Sequence, residues 1–161
     1  PRHDVVVPHY HNYGWKSMNA ERKRLVLESW EALGRNHDRV AVAFYDRLFE
    51  IDAGARSLFA KTEMVAQRGK FVQMLGDIVR NLDLPRELIP AVSALGRRHV
   101  DYGVRDADYD RVREALFAAL ASELGTGFTD DVRDAWEEAY ALTAAVMKRG
   151  AHSGTASQAS S

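Results

Sequence analysis

Apolar residues recur along this chain at the three- and four-residue spacing of one helix face, and no stretch alternates as a half-buried strand would. Asn19 is placed to cap a first helix whose stripe is Val26, Trp30 and Leu33 and which Gly34 ends. In the following HDRVAVAFYDRLFEID, the expected inner face is Val42, Tyr45, Leu48 and Phe49. Gly54 and ARSLF form a short corner whose large apolar groups are Leu58 and Phe59. A helix over about Glu63 to Asn81 follows, with Gln67, Phe71, Met74, Leu75 and Ile78 inward and Lys70, Gln73 and Asp77 outward.

In the second half, Pro85 and Pro90 suit first-turn positions, where no N–H donor is needed. The stretch IPAVSALGRRHVDYGV then puts Val92, Leu95 and His99 on one face of a short helix. Asp106 is expected to cap a long helix with the stripe Tyr109, Val112, Leu116, Leu120 and Leu124, broken by Gly125 and Gly127. Thr129 caps the last helix, with Asp130 and Asp131 in its first turn; its stripe is Val132, Trp136, Tyr140, Thr143 and Met147, and Lys148 and Arg149 fall at its end. The pattern predicts an all-helical domain of six to eight helices over residues 19–150. An N-terminal arm covers 1–18, and the small, polar residues 151–161 read as a disordered tail.

A length of 161 residues allows one domain with a substantial core, and a net charge of −1 offers no basic field for nucleic acid or an anionic membrane. No apolar run approaches the ~20 residues of a spanning helix, and the first residues lack the shape of a signal peptide. The absence of cysteine removes disulfides, thiolate catalysis and thiolate-held zinc or iron–sulfur centres, and fits a reducing cytoplasm. A metal must therefore be held by His, Asp, Glu or Tyr, or arrive inside a cofactor. His9 and His11 flank Tyr10 but lack further ligands in register, so the segment holding them and His3 is read as an arm. The Gly125-x-Gly127 pair is a helix stop rather than a nucleotide loop, because no strand precedes it. His37 and His152 read as solvated.

Three polar residues, Tyr45, Gln67 and His99, interrupt apolar stripes where an unpartnered polar group costs roughly 1–3 kcal/mol. The pattern leaves two readings open: three separately satisfied core residues, or three groups converging on one site.

The segment LGRRHVDYGV resembles the proximal-histidine region of neuroglobin-type globins. AFYDRLF followed by SLF resembles the distal tyrosine and corner phenylalanine of flavohaemoglobins and single-domain bacterial globins, and DAWEEAYALTAAVMKRG resembles the final helix of both groups. The likeness spans about Asn19 to Gly150 and implies a globin fold around haem b, iron protoporphyrin IX. It implies His99 as the iron ligand, Tyr45 and Gln67 as the polar groups over the iron, and Phe71 as the apolar wall above it. Phe59 would stack on the porphyrin, while Leu95 and Val104 would wedge it from below. Leu75, Val112, Leu116 and Val146 would complete the slot, Lys70 would pair with a propionate, and Tyr109 matches the tyrosine that flavohaemoglobins keep beside their proximal histidine.

Two departures shape the functional expectation. Gly150 and Ala151 stand where flavohaemoglobins carry a glutamate bonded to the proximal group, so the imidazole should be less anionic and push electrons less strongly. Gln67 rather than histidine occupies the distal position, which argues against bis-histidine iron. The resemblance thus implies tight, slowly released oxygen, with nitric oxide and carbon monoxide as further ligands. Nitric oxide dioxygenation would need a separate reductase, since no GxGxxG occurs. The competing class is a sensor module that reports occupancy to a partner or a missing domain.

Overall fold

The structure, a computed structural model, describes residues 18–158, with side chains to residue 152. Among the described residues seven α-helices and two short 3-10 turns account for the regular structure, and there is no strand. They are α1 (Ala20–Ala32), α2 (His37–Ile51), α3 (Ala55–Leu58), α4 (Met64–Arg80), α5 (Pro85–Asp101), α6 (Asp108–Leu124) and α7 (Asp130–Gln158). The fold class read from the pattern is the one found. His3, His9 and His11 lie outside the described residues.

The closest packings are α5 on α7 and α2 on α6, followed by α1 on α7 and α2 on α4. Each helix starts and stops for a local reason. The Asn19 side chain accepts from Arg22 N at 2.8 Å, and Glu63 caps α4 by accepting from Val65 N and Ala66 N. Thr129 Oγ1 accepts from Val132 N at 3.3 Å at the head of α7. Gly125, at φ 56°, ends α6 in a conformation few other residues tolerate. Among the described residues no helix is long and apolar enough to cross a membrane.

Several expectations need correction. On α2 the buried face is Val40, Ala41, Phe44, Tyr45 and Leu48, whereas Val42 is 38% exposed. The helix is seated between α6 and α4, and the large Phe44 takes the inner position. Pro90 lies inside α5 rather than opening a helix; it is exposed, and the bond it forgoes is to the carbonyl of the equally exposed Arg86. Asp106 does not cap α6: the capping position is Ala107, and Asp108 turns back to accept from Arg105 N at 2.8 Å. The helix α7 does not stop at Gly150 but continues to Gln158, so Lys148 and Arg149 are interior and residues 151–158 are helical. Gly150 has no positive φ and acts as a packing residue, not a cap. Met18, assigned to the arm, is buried in the core. His37 is not solvated; it stacks on Trp30 at 4.1 Å, and its Nε2 donates to the Trp30 carbonyl at 2.8 Å.

One polar link lies in the interior. Trp136 Nε1 on α7 donates to Ser29 Oγ at 2.9 Å, and that hydroxyl donates to the Val26 carbonyl of α1 at 2.9 Å. Removing the hydroxyl leaves a buried indole N–H without an acceptor. Ser29→Ala is therefore expected to lower unfolding stability by about 1–2 kcal/mol, read from the urea midpoint; an unchanged midpoint would remove this bond from the account of α1–α7 docking.

Candidate functional site

The buried face of α2 and the first turn of α4 meet in one hydrogen bond. Gln67 Nε2 donates to Tyr45 Oη at 3.1 Å. The phenol oxygen accepts from Gln67, so its own O–H is left as a donor, with no acceptor among the described residues. Burial pushes the Tyr45 phenol above its usual value of 10, against the opposing effect of the Gln67 bond, so the group stays a protonated donor at neutral pH. Rings fix its direction. Phe44, Phe59 and Phe71 present edge-on contacts to it at 4.9, 5.5 and 5.8 Å, and Phe49 lies tilted at 6.1 Å. Phe44 stacks on Phe71 at 4.4 Å and so joins α2 to α4.

His99 sits half-buried in the last turn of α5. Its Nδ1 lies 2.8 Å from the Leu95 carbonyl oxygen, to which it can only donate, so Nε2 carries the lone pair. Burial lowers the imidazole below its usual 6.5; the Leu95 bond opposes this and the nearby Arg98 charge adds to it. His99 is thus neutral at pH 7, with Nε2 free of any hydrogen-bond partner among the described residues. The ring at its edge is Tyr102, at 6.3 Å.

The helix α4 rests on α2 and α1 while α5 rests on α7, and α4 and α5 share no substantial contact. Phe59, Leu95, Val104 and Val112 are only partly buried, whereas Phe71 and Leu75 are buried. The exposed Leu58 of the α3 corner reaches Gly103, whose φ of 88° turns the chain after α5. No hydrogen bond or ring contact among the described residues joins His99 to Tyr45 or Gln67. Two clusters of opposite character therefore lie on helices that share no substantial packing: an acceptor nitrogen on α5 and a hydroxyl donor on α2.

The model of the family Globin matches residues 42–147. The chain is a globin. Neuroglobin of Danio rerio is 28% identical to it over 148 residues, 84% of this chain and 93% of that protein. The flavohemoprotein of Halalkalibacterium halodurans is 28% identical over 135 residues, 81% of this chain and 32% of that protein. An engineered carbene transferase and candidate nitric oxide dioxygenase from Rhodothermus marinus superposes with a TM-score of 0.79 at 27% identity, over 88% of this chain and 99% of that one.

Membership of this family implies a haem cofactor, and the residues of this globin fit one. Among the described residues no three His, Asp or Glu side chains gather into a metal site, so a lone neutral imidazole suits a metal whose other ligands come with it. Leu116 and Val146 lie in the closed core, and Lys70 is exposed on α4. Tyr109 is buried, but its ring lies under Lys148 Nζ at 5.2 Å and its carbonyl accepts from Tyr140 Oη at 2.5 Å; the ring contact with His99 comes from Tyr102. Sequence reasoning missed Phe44 and Tyr102. The i, i+4, i+8 series Val40, Phe44 and Leu48 was the available signal for the first; Tyr102 carried none.

The lowered pKa of His99 makes a signed prediction. A base whose folded pKa lies below its unfolded value opposes folding once the unfolded form protonates, so its penalty grows as pH falls through 6.5. In the haem-free chain, stability is expected to fall more steeply between pH 7.5 and 5.5 than in His99→Leu, compared by thermal unfolding; parallel pH profiles would show that folding does not lower the His99 pKa.

Proposed function

We propose that this globin binds oxygen and other diatomic gases reversibly, with high affinity and slow release, at a haem b carried on His99 Nε2. The observation that supports the reading is the Gln67–Tyr45 hydrogen bond, which leaves a buried, protonated phenol with an unused O–H. Held by His99, a haem would supply the iron for binding oxygen, nitric oxide or carbon monoxide and, given one added electron, the redox chemistry by which nitric oxide and oxygen become nitrate. The chain supplies everything around it. Phe59, Phe71, Leu75, Leu95, Val104 and Val112 exclude water from the apolar slot, and Lys70 is available to a propionate from its exposed place on α4.

Tyr45 and Gln67 act in series rather than as two parallel donors. The amide of Gln67 polarises the phenol, and the phenol O–H is the group offered to a ligand that carries partial negative charge. A hydrogen bond of that kind contributes about 1.5–3 kcal/mol, enough to slow ligand escape roughly tenfold to a hundredfold. Slow release is ill suited to delivery and better suited to scavenging or to nitric oxide dioxygenation. In the second case electrons come from a reductase, in trans or on sequence outside this chain. The likeness to flavohemoprotein supports that option. Tyr45 and Gln67 are then the residues that hold oxygen in place for the reaction.

Two experiments test this. Tyr45→Phe is expected to raise the oxygen dissociation rate roughly tenfold to a hundredfold, with a smaller rise for Gln67→Leu, by stopped-flow displacement; an unchanged rate in Tyr45→Phe removes the phenol from the site. His99→Gly is expected to lose the carbon monoxide-sensitive Soret band of the reduced protein and regain it with added imidazole. A variant that keeps the wild-type spectrum without imidazole would refute His99 as the ligand.

A further inference from the structure

Where α5 crosses α7, the two backbones touch. A Cβ added at Gly96 would lie 2.0 Å from the Met147 carbonyl oxygen, and one at Gly150 would lie 2.3 Å from the Ser93 carbonyl oxygen. Real Cβ atoms essentially never approach another atom within 3.0 Å, so no side chain fits at either position without moving a helix. The contact is reciprocal, since each glycine faces the carbonyl three residues before the other. Neither glycine has a positive φ, so closeness rather than conformational freedom is what calls for glycine here.

This crossing is adjacent to the site. His99 lies one turn beyond Gly96 on α5, and the carbonyl that orients its ring belongs to Leu95, the neighbour of Gly96. The same helix α7 also holds the segment that follows. Tyr140 Oη donates to the Tyr109 carbonyl, Lys148 covers the Tyr109 ring, and His152 Nε2 lies 3.4 Å from Asp106 Oδ2. The placement of α5 and of the turn after it is therefore referred to α7, not to α4.

We infer that Gly96 and Gly150 are positioning residues for His99: their backbone contacts seat α5 on α7 and so set where the imidazole stands relative to bound haem. The inference rests on His99 as the haem ligand. A methyl group at either glycine displaces α5 from α7 by about 1 Å, because close-packed interiors transmit such an overlap instead of absorbing it. Leu95 and His99 move with it as one turn. The crossing also gives a steric reason for the missing carboxylate at position 150, where any side chain would meet the Ser93 carbonyl.

The test uses the full chain loaded with haem. Gly96→Ala and Gly150→Ala are expected to keep a Soret band while shifting the iron–imidazole stretching band of the reduced protein and changing carbon monoxide association several-fold. Gly69→Ala, at an exposed position of α4 with nothing within 4 Å, should leave both at wild-type values. Folded, haem-loaded Gly96 and Gly150 variants with an unshifted band and unchanged rate would overturn the inference. In case those variants do not fold, hydrogen exchange on the wild type decides. Adding carbon monoxide to the reduced protein should alter protection across residues 93–99 and 147–151 together, and a change confined to 93–99 overturns the inference. Failure of the haem reading is separable, because it appears as wild-type spectra that His99→Gly leaves intact.

Discussion

Two helices of this globin meet without side chains between them, and that contact sets much of the remaining geometry. Gly96 and Gly150 remove the Cβ atoms that would hold α5 and α7 apart, so the carbonyls of Met147 and Ser93 take their place. While α5 packs on α7, it makes no substantial contact with α4. The helix α4 instead docks on α2 through Phe44 and Phe71 and on α1. Each of α4 and α5 thus finds its main packing partner elsewhere. Phe59, Leu95, Val104 and Val112 stay only partly buried in this arrangement, packed at the margin of the core.

Burial then sets the chemistry of both clusters, with opposite consequences. For Tyr45 it raises the phenol pKa and preserves a proton to donate. For His99 it lowers the imidazole pKa and preserves a lone pair to offer. Each group also has its orientation fixed by its other hydrogen bond: Gln67 to the phenol oxygen, and the Leu95 carbonyl at Nδ1. Desolvation thus keeps one group a donor and the other an acceptor, since it disfavours whichever form is charged.

Much of this fold was legible from periodicity. Val26, Trp30 and Leu33, Phe71, Leu75 and Ile78, and Val132, Trp136 and Met147 are all buried where the helical spacing puts them, because one helix face must be apolar to leave water. The caps at Asn19 and Thr129 were legible for the same local reason, since a side-chain acceptor within reach of free N–H groups needs no knowledge of the rest of the chain. Where the reading failed, a distant partner decided. Val42 is turned outward by the seating of α2, Asp106 leaves the capping role and faces His152, and His37 is taken up by Trp30.

The candidate site divides along the same line. The amino-acid order by itself determined that Tyr45, Gln67 and His99 would interrupt apolar faces, and its motifs resembled those of globins closely enough to give the family. That the Gln67 amide bonds the phenol, that the ring touching His99 is Tyr102, and that Gly150 is packed within α7 instead of ending it were decided only by the tertiary structure. The physical reason is range. Helical spacing and capping depend on neighbours within four residues, whereas an amide 22 residues from its acceptor, or a glycine 54 residues from the one it mirrors, is placed only when the helices dock.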